Sequence, residues 1–347
     1  MTGRQLDNAN YIARICPAKV FAMKYRKTEA KEWAAGYFRG LEATIFPSFR
    51  SDDLTLDEAS VRHDVRELVR HGFFSAVTVN DTGTTIEEDK RFIEWCVDEA
   101  KDRIGISVSL RYPTLEQNQE MARFSEAVGC DTIFVSYPPN FTPRTADEVF
   151  DYTLAICEAT GLAVELFPSR KYDFPLHGGF SPALLSRMAD IENVVAMKDG
   201  IGDLAWLDEC WRLFGDKVLI SHPHDEAWPI LIPKYGMQWS GSAPWQIFQT
   251  PDDRREVNLF ALIQNNQMKE AMELYWRMDP LRKFFVSSMR SLKGDTGLYN
   301  YQMWKYMEGL VGMSGGEMRF PKVQYLNRDK TAVKEVMHRV GLKIREA

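Results

Sequence analysis

The chain of 347 residues contains no apolar stretch that approaches the ~18–20 residues needed to cross a bilayer. It also contains no long block of Lys and Arg, and its net charge of -6 argues against a nucleic-acid surface. The first residues lack the hydrophobic centre of a secretory signal. We therefore expect a cytoplasmic protein that binds neither nucleic acid nor membrane.

Clustered cysteines are absent as well. The sequence has five cysteines and no CxxC pair, at the positions Cys16, Cys96, Cys130, Cys157 and Cys210. An odd, scattered set is typical of reduced thiols and not of a disulfide framework or a zinc site. A phosphate-binding P-loop, a dinucleotide glycine fingerprint and a nucleophile elbow are also missing.

Short apolar runs recur along most of the chain, each too brief to be a helix. They lie at 41–46, 73–79, 104–110, 131–136, 162–167, 193–197, 217–221 and 236–241. Runs of this kind are typical of parallel strands that are buried on both faces. Helical patterns separate them at 56–72, 85–100, 114–129, 145–161, 181–191, 204–215 and 226–236. The alternation predicts an α/β protein with a (β/α)8 TIM barrel.

The same patterns divide the chain into three regions. Residues 1–40 are predicted to form an N-terminal extension with a helix at 27–38, and residues 41–250 the catalytic barrel. From 251 to 347 the strand pattern stops, and we expect a C-terminal helical extension. Its many Met and aromatic residues predict a packing core between helices, with a ligand surface or an oligomer interface as alternatives.

Lys198 is the most informative single residue. It ends the apolar run at 193–197 and precedes Asp-Gly. Burial favours the neutral form of a lysine amine, and a neutral amine is a nucleophile that forms a Schiff base with a carbonyl compound. The alternative is that Lys198 only marks the place where a strand meets solvent.

In a (β/α)8 barrel the active site lies at the C-terminal ends of the strands, so the residues that follow each run are the candidates. These segments are NDTGTT (80–85), SYPPNFTP (136–143), Glu165 with FPSR (167–170), Lys198 with Asp199, SHPHDE (221–226) and SGSAPW (240–245). Within the last segment, Ser240 is a candidate substrate contact.

Several segments resemble those of one known family. NVVAMKDGIGDL resembles NIVGIKEASGDL with the lysine in register, ELFPSR resembles YNVPSR, and VSYPPNFTP resembles VTPYYNRP. VTVNDTGTTIEED resembles the family's G-[ST]-T-G-E loop, and GLVGMSGGEMRFP its closing Gly-Gly-x-x-Arg-x-Pro stretch. In this order, over about residues 40–325, the chain looks like a divergent member of the dihydrodipicolinate synthase / N-acetylneuraminate lyase family.

The resemblance implies a mechanism. The family's strand-6 lysine forms a Schiff base with the 2-oxo group of pyruvate or a pyruvoyl-containing substrate, and that role would fall to Lys198. The protonated imine accepts electrons, so a carbon–carbon bond can form or break, or water can leave. No cofactor is implied, because the lysine itself is the electron sink. A homo-oligomer, a dimer or a tetramer, is implied because the family is usually oligomeric.

The strand-2 loop departs from the family pattern. The family binds the substrate carboxylate there through a Thr/Ser-Thr pair and backbone N–H groups, and Asp81 and Thr82 occupy that pair here, followed by Gly83. Thr82 can act as the family threonine does. Asp81 cannot easily face a carboxylate, because like charges repel in a pocket of low dielectric. Either Asp81 points away, or it is protonated, or the substrate has no carboxylate there.

The proton-relay position departs as well, because Glu165 aligns with the family's strand-5 tyrosine. A buried glutamate can act as a general acid/base, or it can pair with Lys198 and hold it charged. Tyr137 is a candidate for the missing hydroxyl, with ordinary packing as the alternative. Arg170 aligns with the family arginine that can bind a second carboxylate, unless it is a solvated loop residue.

Aromatic residues near the predicted rim would suit a bulky or aromatic substrate, or a packed interface; they are Phe141, Tyr172, Phe174, Trp239 and Trp245. The segment 167–175 also looks somewhat like the strand-5 loop of the hydratase-aldolase branch. His222, His224 and Asp225 could supply metal ligands. In register with the family, however, this strand-7 loop binds no metal, and we expect none.

These patterns favour a class I lyase or aldolase acting on a small carbonyl substrate such as a 2-oxo acid. Lys198 would be the nucleophile, Thr82 would orient the substrate, and Glu165 or Tyr137 would transfer protons. A Schiff-base dehydratase or hydratase-aldolase acting on a larger, aromatic substrate is the first alternative. The second is a barrel that binds a carbonyl ligand without turnover.

Overall fold

The computed structural model describes residues 24–138, 140–169, 180–296, 299–320 and 325–345. Its eight strands are β1 (Gly40–Ile45), β2 (Ser75–Thr78), β3 (Gly105–Leu110), β4 (Thr132–Val135), β5 (Ala163–Leu166), β6 (Val194–Lys198), β7 (Leu219–Ser221) and β8 (Trp239–Ala243). Neighbouring strands pair in parallel in the order β7-β6-β5-β4-β3-β2-β1-β8. The predicted (β/α)8 barrel is confirmed, with each strand within a few residues of its apolar run.

Helices cover the outside of the barrel between successive strands. They are Glu58–His71, Ile86–Ala100, Leu115–Val128, Ala146–Glu158, Pro182–Ala189, Leu204–Phe214 and Trp228–Tyr235. A capping box begins the second of these helices, because Thr85 Oγ1 accepts from the Glu88 N–H at 3.3 Å and Glu88 Oε2 accepts from the Thr85 N–H at 3.0 Å. Gly72 ends the first of these helices with a φ of 86°, a left-handed conformation that favours glycine.

The barrel is nearly closed, with its seam between β7 and β8. Side-chain hydrogen bonds join the two strands there: Ser240 Oγ donates to the His222 carbonyl oxygen at 2.9 Å, and the Gly241 N–H donates to Ser221 Oγ at 3.2 Å. β7 is only three residues long, and the following helix contains Pro233. The shortest of the eight strands therefore lies at the seam, beside the strand that carries Lys198.

The N-terminal segment closes the bottom of the barrel. A 3-10 turn at Lys27–Glu29 and a helix at Ala30–Tyr37 occupy the predicted helical region. Phe38 packs edge-on against Trp239 with ring centroids 4.9 Å apart. Trp239 begins β8 and is fully buried, so it lies at the opposite end of the barrel from the predicted rim, and its expected place at the rim is corrected.

Helices follow the barrel as expected, at Arg255–Gln264, Met268–Thr296, Tyr301–Val311 and Asn327–Arg339. A buried ionic network attaches them to β1 and the first barrel helix. Lys305 Nζ donates to Ser48 Oγ at 2.9 Å and to Asp64 Oδ2 at 3.3 Å, and it lies 3.3 Å from Glu308 Oε2. The Ser314 N–H donates to the other Asp64 oxygen at 2.7 Å. Within the described ranges, no helix combines the length and apolarity that crossing a membrane requires.

The Lys305 network generates a stability prediction. Lys305 is almost fully buried between two carboxyl groups, so Lys305→Ala leaves uncompensated negative charge in the interior. We expect a loss of about 3–5 kcal/mol in the free energy of unfolding, measured by guanidinium denaturation. Lys269→Ala, at an exposed helical position, is the matched control and should stay within about 0.5 kcal/mol of wild type. Equal losses in the two variants would contradict the assignment.

Candidate active site

A cavity of about 680 Å³ opens at the C-terminal ends of the barrel strands. Strand ends supply part of its lining. Two of the C-terminal helices supply Arg282, Phe285, Tyr301 and Trp304, and Tyr299 lies between these helices. Its walls are largely apolar and aromatic, with a few charged groups between them. This combination is typical of a small-molecule site.

Lys198 lies on the floor of this cavity, at the last position of β6. Its Nζ donates to the carbonyl oxygen of Ser242 and, at 3.2 Å, to Ser242 Oγ. The same atom lies 4.4 Å from the ring centroid of Phe167 and 5.3 Å from that of Phe134. The lysine therefore crosses the seam of the barrel to β8, between two aromatic rings.

Gly241 on β8 makes room for the lysine stem. A Cβ atom added at this glycine would lie 2.9–3.0 Å from Cβ, Cγ and Cδ of Lys198, which is closer than real Cβ contacts. Residue 241 is therefore restricted to glycine by the close approach of the lysine side chain, not by its backbone angles.

Glu165 lies in the barrel interior below the lysine and does not line the cavity. Its Oε1 accepts hydrogen bonds from Ser107 Oγ at 3.1 Å and Thr132 Oγ1 at 3.0 Å. Burial raises the pKa of Glu165 to about 7, against the opposing effects of Thr132, Ser107 and the charge of Lys198. The carboxyl group is thus held next to the amine, but below the space that a ligand could enter.

A second buried carboxyl group, Glu42 on β1, belongs to the same interior cluster. Its Oε2 accepts from the Ser242 N–H at 3.1 Å, so Ser242 connects Glu42 to Lys198. Burial and the neighbouring charge of Glu165 raise the pKa of Glu42 well above its usual range, while Lys198 lowers it. A charged residue within the apolar run LEATIF was a signal that the sequence reasoning missed.

One oxygen on each of these carboxyl groups has no hydrogen-bond partner among the described residues: Glu42 Oε1 and Glu165 Oε2. The charge of Glu165 raises the pKa of Glu42, so the two carboxyl groups are close enough to interact. Neighbouring buried carboxylates are not both ionised cheaply, and a proton held between them would satisfy both oxygens.

Asp81 lines the cavity, but its charge is matched. It accepts a hydrogen bond from Arg111 at the end of β3 and another from the Tyr301 hydroxyl at 2.8 Å. Arg111 is mostly buried and also lines the cavity. Arg111 was not among the residues predicted from the sequence, and its pairing explains how an aspartate is tolerated in this loop.

Two further loop residues lie apart from the cavity. Thr82 is buried with its hydroxyl 3.5 Å from that of Thr84, and it is not part of the cavity lining. Gly83 has a φ of 81° and packs against the backbone of Phe320, so both its conformation and its surroundings require glycine.

The structure also places Tyr137 and Ser240 outside the cavity lining. Tyr137 is 1% exposed, and its hydroxyl lies 2.6 Å from Thr153 Oγ1 on an outer helix, which corresponds to the packing alternative. Ser240 joins the strands at the seam, and its neighbour Ser242 is the serine that meets Lys198. Arg170, Tyr172 and Phe174 lie outside the described residues.

The expected aromatic rim is therefore made of different residues. Trp245 lines the cavity as expected, whereas Phe141 packs against Tyr137 with ring centroids 5.4 Å apart. The aromatic residues that the sequence reasoning did not select, but that line the cavity, are Phe134, Phe167, Phe248, Phe285, Tyr299, Tyr301 and Trp304.

An Asp–His pair stands directly beside the lysine. Asp199 Oδ2 lies 2.7 Å from His222 Nδ1, and Asp199 Oδ1 accepts from the N–H groups of Ile201 at 2.7 Å and Gly202 at 3.1 Å. Both side chains line the cavity. The second histidine of the loop, His224, packs edge-on against His222 with ring centroids 5.3 Å apart.

Asp225, an acidic residue of the same loop, forms an ion pair with an arginine. Arg282 Nε donates to Asp225 Oδ2 at 2.6 Å. Burial raises the pKa of Asp225 to about 6, although the charge of Arg282 opposes the shift. Across the described residues, no group of three or more His, Cys, Asp and Glu side chains is arranged to hold a metal ion.

Known proteins resemble this chain over most of its length. The model of the dihydrodipicolinate synthetase family matches residues 37–338. A curated relative, the 4-hydroxy-tetrahydrodipicolinate synthase of Bradyrhizobium diazoefficiens, is 22% identical over 312 residues, which cover 88% of this chain and 97% of the relative. The enzyme of the same name from Methanothrix thermoacetophila is 22% identical over 310 residues, which cover 88% of this chain and 97% of that protein.

Solved structures share the fold. N-acetylneuraminate lyase from Fusobacterium nucleatum, complexed with pyruvate, superimposes with a TM-score of 0.74 at 21% identity, covering 88% of this chain and 98% of that chain. Dihydrodipicolinate synthase from Aquifex aeolicus superimposes with a TM-score of 0.72 at 17% identity, covering 89% of this chain and 100% of that chain.

The carboxyl cluster generates a pH prediction. The folded protein holds the pKa of Glu165 at about 7, above the usual 4.5, so it keeps a proton that the unfolded chain loses in this window. Stability should therefore fall as the pH rises through this window, and Glu165→Gln removes that loss. We expect the unfolding free energy of this variant, minus that of wild type, to increase by on the order of 2 kcal/mol from about pH 5 to about pH 8.

The measurement is chemical denaturation at both pH values, with Glu158→Gln as the control at an exposed helical position. The control should show no comparable dependence on pH. A Glu165→Gln variant whose difference from wild type is the same at both pH values would show that Glu165 is ionised throughout.

Proposed function

Because the chain belongs to the dihydrodipicolinate synthetase family, we propose that it is a class I lyase or aldolase in which Lys198 forms a Schiff base with a 2-oxo acid. Membership confirms the resemblance found in the sequence. Family members include lyases, and the Fusobacterium nucleatum N-acetylneuraminate lyase is known in complex with pyruvate, which supports a 2-oxo acid as the substrate class here.

The observation that carries the proposal is the position of the Lys198 amine. It stands on the floor of a cavity of about 680 Å³, at the C-terminal end of β6, where a carbonyl carbon can approach it. In its neutral form the amine attacks that carbon, and loss of water gives an imine. The protonated imine then accepts the electrons of a neighbouring carbon–hydrogen or carbon–carbon bond.

The interior carboxyl groups support the charged intermediate. Above about pH 7, Glu42 keeps its proton and Glu165 loses its own, so the pair carries one negative charge below Lys198. That charge stabilises the positively charged imine in a region of low dielectric. Glu165 thus acts electrostatically from beneath the floor and does not touch the substrate. We do not assign Tyr137 the proton-transfer role predicted from the sequence, because its hydroxyl faces an outer helix.

The substrate carboxylate binds to Arg111. A guanidinium group presents five N–H donors in a plane and can hold a carboxylate with two parallel hydrogen bonds. Asp81 and Tyr301 fix the position of Arg111 at the cavity wall. Arg111 then takes over what the family loop does with its threonine pair, and Thr82 contributes to the shape of the loop instead.

A second candidate function stays open because of the cavity walls. The aromatic side chains that line the cavity would suit a larger substrate with an aromatic group, as expected of a hydratase-aldolase. The same lysine chemistry would serve, and only the group attached to the 2-oxo acid would differ.

Assembly and location are also part of the proposal. We expect a homo-oligomer, a dimer or a tetramer, and a cytoplasmic enzyme. The described cysteines Cys96, Cys130, Cys157 and Cys210 are free thiols, which suits a reducing compartment.

Trapping of the imine with borohydride tests the proposal. We expect pyruvate, a longer 2-oxo acid or an aryl-substituted one to leave a stable reduced adduct on the peptide that carries Lys198, as detected by mass spectrometry. Lys198→Ala should lose the adduct while keeping its circular dichroism spectrum, and Lys269→Ala should keep the adduct.

An adduct on another lysine, or one that persists in Lys198→Ala, would contradict the assignment. A wild-type protein that binds these compounds without trapping or turnover would instead support a barrel that only binds a carbonyl ligand. The compound that traps best separates the two enzymatic candidates.

The role of Arg111 has its own test. Arg111→Gln should raise the pyruvate concentration for half-maximal trapping by about 10-fold to 100-fold, because a charge-assisted hydrogen bond is lost. Trapping of acetaldehyde, which has no carboxylate, should be unchanged. The double variant Asp81→Asn with Arg111→Gln controls for the unpaired aspartate, and equal effects on both compounds would argue against a carboxylate site.

A further inference from the structure

A Schiff-base enzyme needs a group that moves protons at the carbon next to the imine, and neither of the two residues expected to replace the family's hydroxyl supplies one. Glu165 lies below the floor of the cavity, and Tyr137 points to an outer helix. From the side chains that do line the cavity, we infer that His222, held by Asp199, is the general acid and base of this site. The inference rests on the proposed function.

The hydrogen bonds around the pair define how it would work. With Asp199 accepting at Nδ1, the neutral imidazole carries its proton there, and Nε2 is left as an acceptor. Among the described residues, Nε2 has no hydrogen-bond partner, and the ring lines the cavity. Asp199 is itself held by two backbone N–H groups, so it orients the histidine and stabilises the imidazolium that forms.

The main chain of His222 is fixed as well. Its carbonyl oxygen accepts from Trp228 Nε1 at 3.3 Å and from Ser240 Oγ at 2.9 Å. Ser240 therefore contributes to the site through the histidine and not by touching a ligand. A histidine that is held through both its ring and its main chain can meet the geometric demands of proton transfer.

The pair belongs to the same cavity wall as the lysine. Lys198 ends β6 and is paired with Ser221, which ends β7, and Asp199 and His222 directly follow these two strands. Lys198, Asp199 and His222 all line the cavity, so a substrate joined to Lys198 extends into the space that the imidazole borders. Asp225 does not compete for the role, because Arg282 occupies it.

The proposed proton transfer interconverts the protonated imine and a neutral enamine. His222 Nε2 removes a proton from C3 of the protonated imine, the C3–H electrons form a C2=C3 double bond, and the imine π electrons move onto nitrogen. The product is a neutral enamine beside an imidazolium, and the reverse step returns a proton to C3. In carbon–carbon cleavage, His222 takes the proton of the C4 hydroxyl, the C3–C4 electrons form the enamine, and an aldehyde leaves.

Exchange of the pyruvate methyl protons in D₂O, followed by proton NMR, measures this step separately from imine formation. We expect His222→Gln to trap pyruvate with borohydride as wild type does, while its exchange rate falls by about 100-fold or more. Asp199→Asn should also slow exchange while keeping trapping. His338→Gln, at an exposed helical position away from the cavity, is the control and should keep both.

Rescue by free imidazole distinguishes the loss of a catalytic base from a structural defect. Free imidazole should restore exchange in His222→Ala, because the cavity can admit it and the base would be replaced. Exchange in His222→Gln at the wild-type rate would overturn the inference. So would wild-type protein that traps pyruvate without exchange, or loss of trapping together with exchange and no imidazole rescue. If wild type traps no carbonyl compound, the proposed function itself fails, which trapping alone reveals.

Discussion

The arrangement of this site depends on keeping a lysine amine at the boundary between a dry barrel interior and an open cavity. Below the amine, Glu42 and Glu165 share the interior with serine and threonine hydroxyl groups. Above it, the cavity reaches the C-terminal helices. A cation in such a place needs polar partners, and Ser242 supplies two oxygens across the seam of the barrel. The absence of a side chain at Gly241 follows from this crossing.

Several buried charges around the cavity are paired with a group of opposite charge. Arg111 matches Asp81, Arg282 matches Asp225, and Lys305 lies between Asp64 and Glu308. Breaking one member of a buried pair is costly, so these pairs fix the loops and the C-terminal helices to the barrel. The pair formed by Asp199 and His222 also lines the cavity, and Nε2 of the histidine takes part in none of these contacts.

The fold was predictable because strand and helix periods, caps and lengths are local properties of the sequence. Lys198 could be found for the same reason, as a lysine that ends a buried strand. The alternation of side chains along β4 also contained information that was not used: Thr132, Phe134 and Ser136 face inward, so Tyr137 faces outward. The partners of Asp81 could not be found this way, because Arg111 and Tyr301 lie 30 and 220 positions away in the chain. Such pairing is decided by loop conformation and by how the C-terminal helices dock.

The most direct test of the account is a crystal structure of the protein soaked with a 2-oxo acid and reduced in the crystal. We expect continuous density from Lys198 Nζ to C2 of the ligand. The carboxylate of the ligand should lie against Arg111, and its third carbon should lie beside His222 Nε2. A ligand that occupies the cavity without a bond to Lys198, or with its carboxylate away from Arg111, would contradict it.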